Sequence, residues 1–521
     1  MRRSILYTAV LAVAAFSVPA NARPAPASDD SPSDSAVNSA FYTEGAKHGS
    51  SVYKIVDTLF DGYEKSTVVY DRIAEMTDLY GHRITGSVTN EQSLDWLITT
   101  ASKVDGFEVR TEPVVANKWV RNQESLHLEG LPRGNISLAM LGLGNSIGTN
   151  GTDIVGEPVV VHNKEEFDKL PDDAIKGKIV VWNVPFIKSY DEVFEYRSKG
   201  PTWAASRGAV ASLFRSATPF SHSVPHTGSS VRTTIPGAAI IAEDANLIER
   251  LVKRAALKND TETRAKYPFR DSFVVPKLRL NMGAEYAANG TNTRNVIFEL
   301  KGKEKPNEIV LLGGHIDSWD VGTGSMDDAG GIFVSWEALR LIKTKLGGKQ
   351  PKRTIRVVAF NNEEAGQRGA IAYAASSNRT GEKHIFAAES DTGVFNPWGL
   401  YIAAKDKAYG FLSGLGKRLL GTRDVGHTFR IPENEEADID PLCIQYNGTL
   451  PCAGVKSRDV ITNEPPTNSN KTLGTNGYFW FHHTAADRLE VLNSTYLSKQ
   501  ASALAVWAYA IAESPDGALQ G

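Results

Sequence analysis

The sequence predicts an α/β protein with a mixed, largely parallel central sheet flanked by helices. Three observations predict it. Apolar positions recur every three or four residues between 50 and 104, as in SSVYKIVDTLFDGY and STVVYDRIAEMTDLYG, which reads as helix. From about 130 to 270, glycines alternate with short β-branched runs, which reads as a smaller domain of strands with one or two helices. From 293 onward, strand-like runs alternate with helical ones, the pattern of a largely parallel sheet covered by helices.

In chain order, Arg2 and Arg3 precede an apolar run from Ile5 to Val18 and then Ala20-Asn21-Ala22, a small-x-small cleavage site. That is a signal peptide over 1–22; the run is shorter than the roughly 20 apolar residues a membrane span needs. Residues 23–44 open on a stretch rich in Pro, Ser and Asp, a flexible tail or pro-segment. NEQSLDWLITTASKV extends the early helices, and EVRTEPVVANKWV reads as strand. The runs VGEPVVVHN, KGKIVVWNV, AVASLFR and GAAIIAED belong to the 130–270 stretch, which shows no compact cluster of ligands or nucleophiles. Beyond 293 the strands are NVIFEL, EIVLLGG, TIRVVAF, HIFAAE, GLYIAA and CAGV. The helices are GIFVSWEALRLIKTKL, AIAYAASS and KAYGFLSGLGKRLL, with ASALAVWAYAI as a buried final helix too short to span a membrane.

Composition narrows the function. The chain has 521 residues, room for two to four domains, with 41% hydrophobic and 22% charged residues, as in globular proteins. A formal net charge of −3 gives no basic footprint for nucleic acid. Two cysteines exclude a disulfide scaffold or a cysteine-rich zinc module. In an exported chain, Cys443 and Cys452 are expected to close a local disulfide loop. Sequons at Asn135, Asn150, Asn259, Asn289, Asn378, Asn447, Asn470 and Asn493 accompany the signal peptide and suit a secreted or lysosomal glycoprotein.

The chemistry gathers at strand ends. EIVLLGG runs into His315 of GGHIDSWD, TIRVVAF into Asn361-Asn362-Glu363-Glu364, and HIFAAES into Asp391. Ser325-Met326-Asp327-Asp328-Ala329-Gly330-Gly331 opens a helix, and Phe481-His482-His483-Thr484-Ala485-Ala486-Asp487 follows later. In parallel sheets, ligands collect outside the carboxyl ends of strands. Singly, each group is ordinary: an acidic pair caps a helix, a glutamate pair fills a solvated turn. As an ordered series they match a two-metal site, which needs a bridging carboxylate and one His and one acidic ligand per ion, with the ions about 3.5–4 Å apart. A further group must carry protons, and Glu363 and Glu364 are able to divide those tasks.

GGHIDSWDVGTGSMDDAGG, FNNEEAGQRGA, ESDTG and HHTAAD together resemble the co-catalytic zinc exopeptidases, which include zinc aminopeptidases and glutamate carboxypeptidases. The resemblance spans most of 45–512. It implies two Zn2+ per subunit, held by His315, Asp327 (bridging), Glu364, Asp391 and His483, with Glu363 as general base. His483 is preferred over His482 because the family places its ligand just before Thr or Ser, with an Asp four positions later. It implies that Asp317 hydrogen-bonds the His315 imidazole, that Asp487 helps hold the His483 loop, and that the Asp327–Asp328 peptide is cis.

The family's organisation implies a peptidase domain in two parts, 45–127 and 273–513, interrupted at 128–272 by a protease-associated-like β/α insertion. It implies a homodimer acting on unblocked dipeptides or short peptides, with no nucleic-acid partner and no membrane span. Two departures stand out: FNN before the glutamate pair, and a long 433–475 stretch carrying both cysteines and two sequons, expected to shape the substrate pocket. The alternatives are an aminopeptidase of the same family and a non-catalytic, receptor-like binding protein on this fold; the latter would have lost metal ligands, and all five positions here keep the right residue type.

Overall fold

Eight strands form the central sheet: β1 (Glu108–Val120), β2 (Glu285–Leu300), β3 (Lys305–His315), β4 (Arg353–Phe360), β5 (Lys383–Glu389), β6 (Pro397–Ala403), β7 (His427–Ile431) and β8 (Cys452–Ser457). Their spatial order is β1-β2-β4-β3-β5-β8-β6-β7. The inner strands β4, β3, β5 and β8 run parallel, whereas β1, β2 and β6 introduce antiparallel pairings. The structure, a computed structural model, describes residues 53–187, 189–219, 222–259, 273–466 and 477–520. The expected signal peptide, the tail and Asn470 lie outside these residues, as do the side chains of Asn259 and Asn378.

The inner strands are apolar because both faces are covered. Every residue of β4 is buried, and helices Gly330–Lys345 and Ser494–Ala512 pack on the sheet and on each other. Each fully buried Leu, Ile or Val contributes about 1.5–3 kcal/mol, so this inner sheet is a rigid mount for whatever its ends carry. The final apolar run lies within Ser494–Ala512, with Leu504, Val506, Trp507 and Ile511 buried. Among the described residues no helix is long and apolar enough to cross a membrane.

Two further sheets lie between β1 and β2. One is antiparallel, ordered Ile136–Leu138, Glu124–Glu129, Lys277–Met282, Ile154–Gly156. The other has five strands: Met140–Gly142, Gly237–Ile240, Ala211–Arg215, Ile179–Trp182 and Pro158–Val161, the last four mutually parallel. Strands Glu124–Glu129 and Lys277–Met282 pair with each other from end to end, so the entry and exit of this region form one ribbon slightly wider than 128–272. The strand β7 carries no sequence signal: HTFRI buries only its last residue fully.

Cys443 and Cys452 form the expected disulfide, tying helix Asp440–Gln445 to the start of β8. Asn135, Asn150, Asn289, Asn447 and Asn493 are exposed. The Asn493 side chain also caps the last helix by accepting from the Tyr496 amide.

Candidate active site

The carboxyl ends of β3, β4 and β5 deliver His315, the Asn361–Glu364 turn and Asp391 to one rim. The rim is shaped by close approaches. A Cβ on Gly314 would lie 2.5 Å from Asp328 Oδ2, and one on Gly331 would lie 1.7 Å from the Ser390 carbonyl. Glycine at both positions lets Asp328 settle against the sheet, where it accepts from the His315 and Gly331 amides. The Asp327–Asp328 peptide is cis. Asn362 has φ +73°, a left-handed conformation that Asn tolerates better than most residues, and the turn it makes presents Glu363 and Glu364. The Asn361 side chain bonds Thr293 and Asn90, which gives the unusual FNN a local role in fixing that turn.

The five residues expected as ligands converge in two sets around the two oxygens of Asp327. His315 Nε2 lies 3.2 Å from Asp327 Oδ1 and 3.5 Å from Asp391 Oδ1. His483 Nε2 lies 3.5 Å from Asp327 Oδ2 and 3.0 Å from Glu364 Oε2. Two donor atoms on one tetrahedral zinc ion, each 2.0–2.1 Å from it, sit roughly 3.3 Å apart. His315 Nε2, Asp327 Oδ2 and Glu364 Oε1 are buried without a hydrogen-bond partner, although buried polar groups are normally paired. Imidazole nitrogens, carboxylate oxygens and these orphan atoms together fit zinc. His482 Nε2 lies farther off, 3.8 Å from Asp327, while its Nδ1 meets His226.

The electrostatics agree. Burial pushes the Glu364 and Asp328 carboxyls well above the usual range, with neighbouring carboxylates adding to it. Burial raises Asp391 to about 6, against the opposing pull of His315. Burial disfavours a charged His315, but Asp391 and Asp327 outweigh it and hold the imidazole well above its ordinary value. Burial raises Glu363 to about 8, again against His315, with Asp391 and Asp317 adding to the rise. So much unneutralised negative charge in one enclosed rim calls for cations.

Two supporting residues make the expected contacts through their backbone and turn their side chains elsewhere. Nδ1 of His315 is 2.9 Å from the backbone carbonyl of Asp317, whereas the Asp317 carboxylate stands 3.7 Å off. That carboxylate accepts instead from the Asn362 and Glu363 amides and from Thr85. Backbone N–H groups at the turn outcompete the imidazole for it, so Asp317 orients His315 through its carbonyl and the base through its side chain. The Asp487 amide donates to the Thr484 carbonyl beside His483, and its carboxylate takes the Met326 and Asp327 amides, holding the turn that carries the shared Asp as well. Burial and the field of Asp327 raise Asp487 to about 7.

Several site residues escaped the sequence reading. Fully buried Arg83 donates to the carbonyls of Ile316, Thr323 and Gly324 and so ties the His315 strand end to the Asp327 turn. The 128–272 stretch looked free of functional groups, yet the fold brings His226, Tyr190 and Arg197 onto the rim. His226 Nε2 is 3.1 Å from His482 Nδ1, and the Thr227 amide donates to the His483 carbonyl. His226, His482 and His483 form a three-imidazole group close enough to hold an ion. Two histidines in SHSVPHTG were the only sequence signal.

Sheet, strand-end rim and paired donor sets are those of a metallo-exopeptidase. The chain belongs to peptidase family M28: the profile described as Peptidase family M28 matches residues 295–508. Carboxypeptidase Q of Xenopus laevis is 34% identical over 448 residues, covering 85% of this chain and 86% of that protein. The crystal structure of a Peptidase M28 precursor from Shewanella amazonensis SB2B superposes with a TM-score of 0.76 at 27% identity, covering 89% of this chain and 97% of that one. BSAP, a zinc aminopeptidase from Bacillus subtilis, shares the fold at a TM-score of 0.58 and 18% identity, covering 85% of this chain and 93% of that one.

Proposed function

We propose that this chain is an exported di-zinc exopeptidase that hydrolyses unblocked dipeptides or short peptides in the secretory route or lysosome, working as a homodimer. The observation that carries the reading is the division of His315 with Asp391, and His483 with Glu364, about the two oxygens of Asp327. These five residues would hold the metal, and the 128–272 insertion would roof it. Zinc there would supply Lewis acidity and water of lowered pKa.

The chain's own groups do the rest. Glu363 takes a proton from the attacking water at its carboxylate and gives it to the departing amine. Enclosure raises the Glu363 carboxyl above an ordinary glutamate, against the pull of His315, which makes it a stronger base once it is ionised. The Asp317 carboxylate, accepting from the Glu363 amide, keeps the base on the rim. Arg83 and Asp487 hold the Asp327 turn in place.

The test is hydrolysis of one dipeptide in three forms, with and without a chelator, alongside a zinc count. Cleavage of only the form with both ends free, abolished by chelation at two zinc ions per chain, is the expected result. Cleavage of the C-terminal amide as well would make the chain an aminopeptidase, and cleavage of the N-blocked form a carboxypeptidase. A single zinc per chain would overturn the two-metal assignment.

A further inference from the structure

Arg197 lies on helix Tyr190–Ser198, within the 128–272 region, and its Nη1 is 3.4 Å from His483 Nδ1. It is 3% exposed. Nη1 donates to the Tyr190 hydroxyl, Nε has no partner, and no carboxylate of the described residues lies within ion-pair reach. A buried guanidinium without an anion is costly, and proteins normally pair it. The packing around it is close: a Cβ on Gly228 would sit 2.2 Å from Nη1, so the loop carrying His226 lies directly on the guanidinium.

The imidazole beside it supplies no anion. The Nε2 of His483 faces Asp327 and Glu364, the proposed metal side. With Nε2 engaged there, Nδ1 carries the ring proton. Nδ1–H and Nη1–H then face each other, and the Thr227 backbone is the acceptor the described residues offer this imidazole. A further metal ion in the His226–His482–His483 group is the competing occupant, but a guanidinium against one of those rings opposes a cation and favours an anion.

We propose that Arg197 anchors the α-carboxylate of the substrate residue on the leaving-group side of the scissile bond. This rests on the exopeptidase reading and narrows it: the site reads the free C-terminus. The carboxylate takes hydrogen bonds from Nη1 and Nε, and accepts from His483 Nδ1–H, displacing the direct contact between the two donors.

The test compares a dipeptide with its C-terminal amide on the zinc-loaded wild type, Arg197→Met and the charge-keeping Arg197→Lys. Wild type is expected to favour the acid by about 100-fold in kcat/KM. Arg197→Met brings the ratio near 1, chiefly through KM, and Arg197→Lys falls between. Calorimetry on metal-free protein gives a readout without turnover: phenylacetate should bind wild type about tenfold more tightly than phenylacetamide, a difference lost in Arg197→Met. A wild-type ratio near 1 overturns the proposal. So does an unchanged ratio in Arg197→Met at wild-type zinc content and melting temperature. A third zinc that His226→Ala removes also overturns it. If Arg197→Met does not fold, the wild-type ratio and Arg197→Lys still decide. Wild type that cleaves no peptide sinks the exopeptidase reading instead, and the calorimetry still judges Arg197.

Discussion

The two ends of the parallel strands treat charge in opposite ways. At the amino ends, charges meet partners. Arg353, at the start of β4, bonds Glu308, Asp516 and the carbonyls of Ala512 and Ser514. Lys305 and Lys352 also reach Asp516. At the carboxyl ends, Asp327, Asp328, Glu363, Glu364 and Asp391 crowd together with two imidazoles and no Lys or Arg in ion-pair contact among the described residues. One end is complete as folded; the other is complete only with cations. Uncompensated buried charge in an otherwise well-satisfied molecule is therefore the mark of function here.

The largest effect expected at the incomplete end is on activity. Glu363→Gln keeps the shape of the rim and removes the proton carrier. It should lower kcat by about a thousandfold while zinc content, measured by atomic absorption, stays at the wild-type value. Wild-type turnover in that variant would remove Glu363 from its role.

Metal removal sharpens the contrast through pH. Without metal, Asp391, Asp487 and Glu363 have folded values near 6, 7 and 8, above their ordinary 3.8, 3.8 and 4.5. A raised carboxyl means the folded state holds more protons than the unfolded one. Stability from these groups is then full below about pH 4 and lost as pH climbs toward 8. Buried His226, His482 and His483, held well below their ordinary value, cost stability as pH falls through about 6.5. The carboxyl effect is therefore read above that range: chelated protein should melt lower at pH 8 than at pH 7. Restoring zinc should reverse the trend, because metal competes with those protons. A chelated melting temperature that rises over this interval would show that the carboxylates are already neutralised by something else.

The complete end predicts the reverse pattern. Arg353→Met strands the Ala512 and Ser514 carbonyls and leaves Glu308 and Asp516 to their lysine partners, at a cost of about 2–3 kcal/mol by denaturant titration. Turnover per folded molecule should not change, since Arg353 sits at the far edge of the sheet. A drop in kcat with unchanged stability would mean the two ends are coupled.

The same contrast explains what the sequence made legible. Residues at the ends of consecutive strands announce themselves: an apolar run stops, a His or acid follows, and parallel topology carries it to the rim. His315, Glu363, Glu364 and Asp391 were readable for that reason. Residues supplied by distant chain were not. His226, Tyr190 and Arg197 reach His482 and His483 across more than 250 positions, and no local periodicity encodes that approach. Arg83 is silent for the same reason, its partners lying beyond residue 315. For Asp317 and Asp487 the sequence marked the residues but not their side-chain partners, because competition between a ring nitrogen and turn amides is settled only by the backbone path. The strand β7 was hidden because its exposed edge position demands little apolar character.

The smallest effect expected concerns the disulfide, which belongs to neither end and so tests how far rigidity spreads. Its loop of nine positions is short, and cross-linking it removes little unfolded-state entropy, about 2.5 kcal/mol at most. It joins helix Asp440–Gln445 to β8, whose neighbour β5 leads directly to Asp391. The Glu389 carboxylate, two residues before Asp391, accepts from the Asp438 and Ile439 amides just ahead of that helix. Replacing both cysteines with alanine should lower stability by that amount and leave zinc content and kcat near wild type, because the Glu389 contacts hold the strand end without the bridge. Loss of zinc in the double variant would show that the disulfide, and not the hydrogen-bonded turn, keeps Asp391 on the rim.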